Sequence, residues 1–121
     1  MSSKTIFRGS QTYNAVYGKL IEAAKNRTTV TYPDLAVAAQ LPMSGEYMAT
    51  TLNQVLKEII LENIEKSEPL LACLVVRKGD DIPGNGFFML VGDIKGQSFK
   101  DMEDRYTFWE AESKSTYSHW E

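Results

Sequence analysis

The order of periodic segments predicts an α+β domain of winged-helix type: helix, short strand, helix, helix, β-hairpin, with an added C-terminal helix. Three observations predict it. Apolar residues recur at three- and four-residue spacing over residues 10–25 and 46–66. Two apolar runs, residues 70–77 and 86–91, flank a stretch dense in Gly, Pro and Asp. A β-branched run, Thr28, Thr29, Val30 and Thr31, lies between the first two helical segments.

Each element has a local reason. Ser10 can cap the first helix, in which Tyr13, Val16, Tyr17, Leu20, Ile21 and Ala24 form one stripe. Thr31 is the N-cap of a short second helix over residues 32–39, with Pro33 in its first turn and Asp34 completing a capping box. Residues 41–45 turn the chain. The third helix, residues 46–66, carries Met48, Leu52, Val55, Leu56, Ile59, Ile60 and Ile64 on one face. Pro69 ends it. LLACLVVR (70–77) reads as a buried strand, KGDDIPGN (78–85) as a wide turn, and GFFMLV (86–91) as the returning strand, with a wing tip at 80–85. Ser98 and Asp101 repeat the capping-box pattern before a last helix over 99–114, after which Ser115–Ser118 is poor helix material. The domain reading is one winged-helix-like unit, 1–97, and an aromatic-rich helix, 98–121, packed on it or on a partner.

Composition removes several chemistries. The chain has 121 residues, enough to bury about two-thirds of its unfolded surface without disulfide or metal. One cysteine, Cys73, and one histidine, His119, leave no Cys/His cluster for zinc and no His-based triad, so neither a cofactor nor a metal is expected. No His/Cys/carboxylate constellation marks an enzyme. The paired Asp80 and Asp81 lack the converging oxygen ligands that Mg²⁺ needs. No apolar stretch approaches the roughly 20 residues of a membrane span, and no leader-type segment opens the chain. The lone thiol fits the cytoplasm.

Three blocks together carry a resemblance: Thr31-Tyr32-x-x-Leu35-Ala36, Pro69-Leu70-Leu71-x-x-Leu74-Val75-Val76-x-Lys78, and Pro83-Gly84-x-Gly86-Phe87-Phe88. They resemble the pattern of a family of small bacterial winged-helix-like domains to which no activity is attached. More distantly, the Thr-Tyr-x-x-Leu-Ala helix start and the apolar segment before a glycine-rich turn are similar to the C-terminal domain of DNA alkyltransferases and alkyltransferase-like proteins. Their Pro-Cys-His-Arg site is matched here only by Cys73, within Leu71-Ala72-Cys73-Leu74-Val75. Without the neighbouring histidine no base would form a thiolate, and apolar surroundings raise a thiol's pKa.

The net charge of -3 conceals a gradient. Up to Ile60 six basic residues face four acids; from Leu61 onward seven face twelve. A contact with duplex DNA would therefore use Arg8, Lys25 and Arg27, with Arg77 and Lys78 at the hairpin's base. In the third helix Ser44, Tyr47, Thr50, Asn53, Gln54 and Lys57 would be the exposed positions, where Asn and Gln can pair with adenine. Glu46, Glu58, Glu62 and Glu65 on the same helix oppose phosphate and favour a solvated face. In the last helix Phe99, Met102, Tyr106 and Trp109 share a face that can pack on the core, and Phe108 and Trp120 fall off it. Phe108, Trp109, Tyr117 and Trp120 are candidate anchors for a second copy or another protein. The sequence thus points to a non-enzymatic regulatory or adaptor domain associated with nucleic acid. The alternative is an interaction or dimerisation module without DNA binding, and a third reading is an alkyltransferase-like lesion binder.

Overall fold

The computed structural model describes residues 7–41, 45–77, 79 and 82–120. Five α-helices and one 3-10 turn follow in order: α1 (Gln11–Lys25), α2 (Tyr32–Ala39), α3 (Gly45–Glu65), the turn (Leu71–Leu74), α4 (Asn85–Lys95) and α5 (Met102–His119). Among the described residues there is no strand and no sheet, so the fold is helical and the expected α+β winged helix is overturned. No described helix is long and apolar enough to cross a membrane.

The first two helices follow their local signals. Ser10 Oγ accepts the Tyr13 N–H at 3.2 Å, and α1 buries Tyr13, Val16, Leu20, Ala23 and Ala24. Thr31 and Asp34 make a reciprocal capping box at α2, with Pro33 in its first turn. Three helices end on left-handed residues that are not glycine: Arg27, Gln40 and Ser67. Each carries the paired bonds of a Schellman motif, as in Glu68 N–H to Asn63 O at 2.8 Å and Ser67 N–H to Ile64 O at 3.1 Å.

The expected hairpin fails in both arms. Residues 86–91 are helical because the apolar period runs on: Phe88 and Val91 are buried in α4, and Phe87, Leu90 and Ile94 pack on the core from the same side. Gly84 caps the start of α4, and Gly96, at φ 67°, closes its end. Without a returning strand, residues 70–76 have nothing to pair with along their length. They fold instead into the 3-10 turn and a short extended tail. The Thr28–Thr31 run meets that tail in a single parallel bridge, Val30 with Val75, held by Val30 N–H to Leu74 O at 2.9 Å and Val76 N–H to Val30 O at 2.8 Å. Of the expected wing tip, Asp80 and Asp81 lie outside the described residues, while Asn85 opens α4.

The turn is the centre of the molecule, and α1, α3 and α5 all pack on it. Leu70 to Val76 are all buried. Side chains from two helices satisfy their backbone. Asn63 Oδ1 of α3 accepts Leu71 N–H at 3.1 Å, and Glu112 Oε2 of α5 accepts Leu70 N–H at 2.7 Å. Trp109 Nε1 donates to Cys73 O at 2.8 Å, and Thr116 Oγ1 lies 3.4 Å from Leu70 O.

The last helix starts and ends later than the sequence predicts. Asp101, not Ser98, is its N-cap, accepting from Asp104 N–H at 2.9 Å, and residues 115–118 are helical. Its inward face also differs. Met102 and Tyr106, expected against the core, are exposed, whereas Phe108, Trp109, Ser113, Thr116, Tyr117 and Trp120 face inward. Phe108 completes a phenylalanine cluster with Phe87, Phe88 and Phe99, with successive ring centroids 5.2–6.4 Å apart.

Asn63 tests the arrangement. Asn63→Ala leaves the buried Leu71 N–H without its partner and is expected to cost about 2 kcal/mol. Urea unfolding should show this as a lower midpoint with an unchanged slope; an unchanged midpoint would show that the bond contributes nothing net.

Candidate functional site

The residues nominated for nucleic acid are largely engaged within the chain. Arg8 is bonded to Glu65 (Nη2 to Oε1, 3.1 Å) and pairs with Glu62 (Nε to Oε1, 3.2 Å). Gln54 Nε2 donates to Glu58 Oε2 at 2.8 Å. Glu58 is not on a solvated face: it is fully buried and accepts Phe7 N–H at 3.0 Å and Arg8 N–H at 2.8 Å, anchoring the segment before α1 to α3. Arg27 lies over the Tyr117 ring at 5.9 Å. Arg8 precedes α1, whereas Lys25 and Arg27 lie at its far end, and a 15-residue helix is about 22 Å long, so these cations form no single patch. Tyr47 and Thr50 are exposed and Lys57 is half-buried, while Ser44 and Lys78 lie outside the described residues.

The aromatic anchors are also occupied internally. Trp109 is bonded to the 3-10 turn, Tyr117 Oη donates to Thr28 O at 3.3 Å, Phe108 sits in the phenylalanine cluster, and Trp120 packs on the core. Cys73 is fully buried, its Sγ 3.4 Å from Thr116 Oγ1, and burial pushes the thiol up to about 12. A thiol so placed stays protonated and unreactive. Among the described residues no group of three His, Cys, Asp or Glu side chains could hold a metal ion.

One feature could not be read from the sequence. A cavity of about 390 Å³ opens where the expected hairpin would have lain. The start of α2 contributes Tyr32 and Pro33 to its wall. From α3 come Asn53, Leu56 and Ile60, at the three- and seven-residue offsets that share one helix face. Ala72, Val75, Val76 and Arg77 supply a second side, and Gly84, Gly86, Phe87 and Leu90 at the start of α4 the third. The lining is chiefly apolar, with a small polar edge on which Tyr32 Oη donates to Asn53 Oδ1. Burial raises the Tyr32 pKa, so its hydroxyl remains a donor at neutral pH. The Arg77 stem lies along Gly84: a Cβ there would sit 3.1 Å from both Cγ and Cδ of Arg77. A side chain at this position would ask the arginine stem to give by a few tenths of an ångström.

The Arg8 cluster is structural and titratable. Glu62 accepts from Tyr13 Oη at 2.6 Å and from Lys66 Nζ at 2.7 Å. Burial alone would raise the Glu62 pKa, but these bonds and the charges of Lys66 and Arg8 outweigh it and hold the carboxyl below its ordinary range.

Comparison with known protein families, with curated proteins and with solved structures finds no match for this chain.

Two measurements follow from these sites. A lowered folded pKa means that Glu62 contributes stability above the ordinary glutamate value, which is lost as the pH falls through the folded value. Melting temperatures between about pH 6 and pH 3 should therefore fall more steeply for the wild type than for Glu62→Gln; parallel curves would remove the carboxylate's role. Cys73 should react with a disulfide reagent at pH 8 roughly 1,000-fold more slowly in the folded chain than in urea, and equal rates would contradict its burial.

Proposed function

We propose that the chain is a non-enzymatic regulatory or adaptor domain that works by holding a small, largely apolar molecule in the cavity between α2, α3, residues 72–77 and α4. The observation that carries this reading is the cavity itself. Its volume of about 390 Å³ lies within the range of small-molecule sites, about 300–1,000 Å³. Its chemistry fits as well, since Leu56, Ile60, Val75, Phe87 and Leu90 offer apolar surface and the Tyr32–Asn53 pair one polar edge.

Close packing elsewhere supports the reading. The neighbouring core is filled, with Leu52, Val55, Ile59, Leu71 and Leu74 fully buried. An unfilled apolar space of this size forgoes dispersion contacts that larger side chains at Ala72 or Leu90 would supply. A molecule seated there restores them.

The groups on the wall can bind and orient, and the chain's one thiol is buried within the turn and does not line the cavity. Adaptor or regulatory action then means that occupancy of the cavity changes what the domain's surface does. Of the cations proposed for DNA, Arg8 is paired with Glu62 and Glu65 and Arg27 lies over Tyr117, whereas the cavity is a built feature.

The test uses the neutral fluorophore N-phenyl-1-naphthylamine, whose emission rises on entering an apolar site. One saturable site is expected, with a Kd on the order of 100 µM or tighter. Leu90→Trp, which fills the space from α4, should weaken binding roughly tenfold, a loss of about 1.4 kcal/mol, while circular dichroism stays unchanged. Absence of saturable binding, or full binding by a folded Leu90→Trp chain, would remove the proposal.

A further inference from the structure

We infer that the molecule taken by this cavity is a compact amphiphile with a carboxylate head, the head set at Arg77 and the apolar body lying between Leu56, Phe87 and the inner wall. The inference rests on the cavity's being a ligand site, as proposed above. It adds the charge and orientation of the ligand.

Charge complementarity selects the head. Among the described residues that line the cavity, Arg77 is the one that carries a charge. Arg77 is exposed at the end of residues 72–77, so a head placed there keeps contact with water while the body leaves it. A guanidinium matches a carboxylate with two parallel N–H donors, and the apolar wall behind strengthens the attraction relative to open water. Arg77 takes part in a further interaction within the chain, but its five donors can serve more than one acceptor.

Backbone geometry points the same way. The first turn of α4 opens at Gly84 and Gly86 on this wall, with no side-chain cap and no acidic residue in that turn. Its positive dipole end adds to the field of Arg77. The absence of a Cβ at Gly84 lets the Arg77 stem lie against α4, so the glycine positions the cation. The Tyr32–Asn53 edge can take a hydrogen-bonding substituent on the body. The volume limits the body, with room for roughly a dozen or more non-hydrogen atoms.

The experiment is displacement of N-phenyl-1-naphthylamine from the full chain at low salt by three probes of equal chain length: octanoate, 1-octanol and octyltrimethylammonium. In simple partitioning octanol, the more apolar probe, would win. Octanoate is expected to displace at a concentration at least about fivefold lower than octanol, with the ammonium weakest. Arg77→Gln should bring octanoate down to octanol or below it, Arg77→Lys should keep part of the preference, and Gly84→Ala should reduce it with the charge intact. Raising salt should narrow the gap. If octanol matches or beats octanoate while both displace, the carboxylate head is wrong and the apolar site stands. Preference for the ammonium probe, or a preference for octanoate that survives Arg77→Gln, overturns the inference in the same way. If the fluorophore itself finds no saturable site, the cavity reading falls and this inference with it.

Discussion

A buried segment of backbone that belongs to no sheet and no long helix sets the terms for the rest of this molecule. Residues 70–76 are apolar enough to be drawn inside, and all of them are buried. Their N–H and C=O groups go in with them, and each group left unbonded costs on the order of 1–3 kcal/mol. A strand would meet this demand by pairing along its length. Here pairing is limited to the single bridge at Val30. The turn bonds Cys73 N–H to Leu70 O and Val75 N–H to Ala72 O, and the side chains of Asn63, Glu112, Trp109 and Thr116 serve further groups. Among the described residues no buried side-chain nitrogen or oxygen lacks a hydrogen-bond partner.

This constraint explains why hydrophobicity does not give the whole inward face of the two helices that flank the segment, although α3 lies where its periodicity predicts it. A helix that must hydrogen-bond what it covers has to present polar groups inward. On α3, Glu58 and Asn63 lie fully buried beside Val55, Ile59 and Ile60. On α5 the inward face carries Glu112, Ser113 and Thr116 among its aromatics, so Met102 and Tyr106 look like the apolar stripe and are not. Apolar periodicity gives the full buried face of a helix only when that face is apolar. The first two helices meet that condition, which is why Ser10, Thr31, Pro33 and Asp34 mark their boundaries in the bare sequence.

The hairpin failed for a related reason. LLACLVVR and GFFMLV both have the length and residue types of strands, and such short runs do not distinguish strand from helix. The deciding residue was Ile94: it continues the Phe87, Leu90, Val91 spacing past the point where a strand would have ended. Once α4 is helical, its first turns stand away from residues 72–77, and the gap between them is the cavity. The lining comes from four separated stretches, each residue unremarkable by itself. A concave site of this kind carries no motif: of its walls only Arg77 and Asn53 are candidate site residues by sequence, for a different role, while Tyr32, Gly84, Gly86 and Phe87 stand in the resemblance blocks.

The cavity and the central constraint share one stretch of chain. Ala72, Val75, Val76 and Arg77 face the cavity, while Leu70, Leu71 and Cys73 are bonded from α3 and α5. A molecule in the proposed site would therefore lean on the element where α1, α3 and α5 converge, rather than on a peripheral loop. Ligand and fold would then be coupled by mass action: a ligand that binds only the folded chain adds about 2.7 kcal/mol to stability at a hundred times its Kd. In the proposed site the ligand would rest on one side of residues 72–77, and on the other side Cys73 is held from α5 by Trp109 and Thr116. Met102 and Tyr106 stand on the outer face of that same helix, exposed to solvent. If the domain is regulatory as proposed, α5 is the element that joins its inner site to an outer surface.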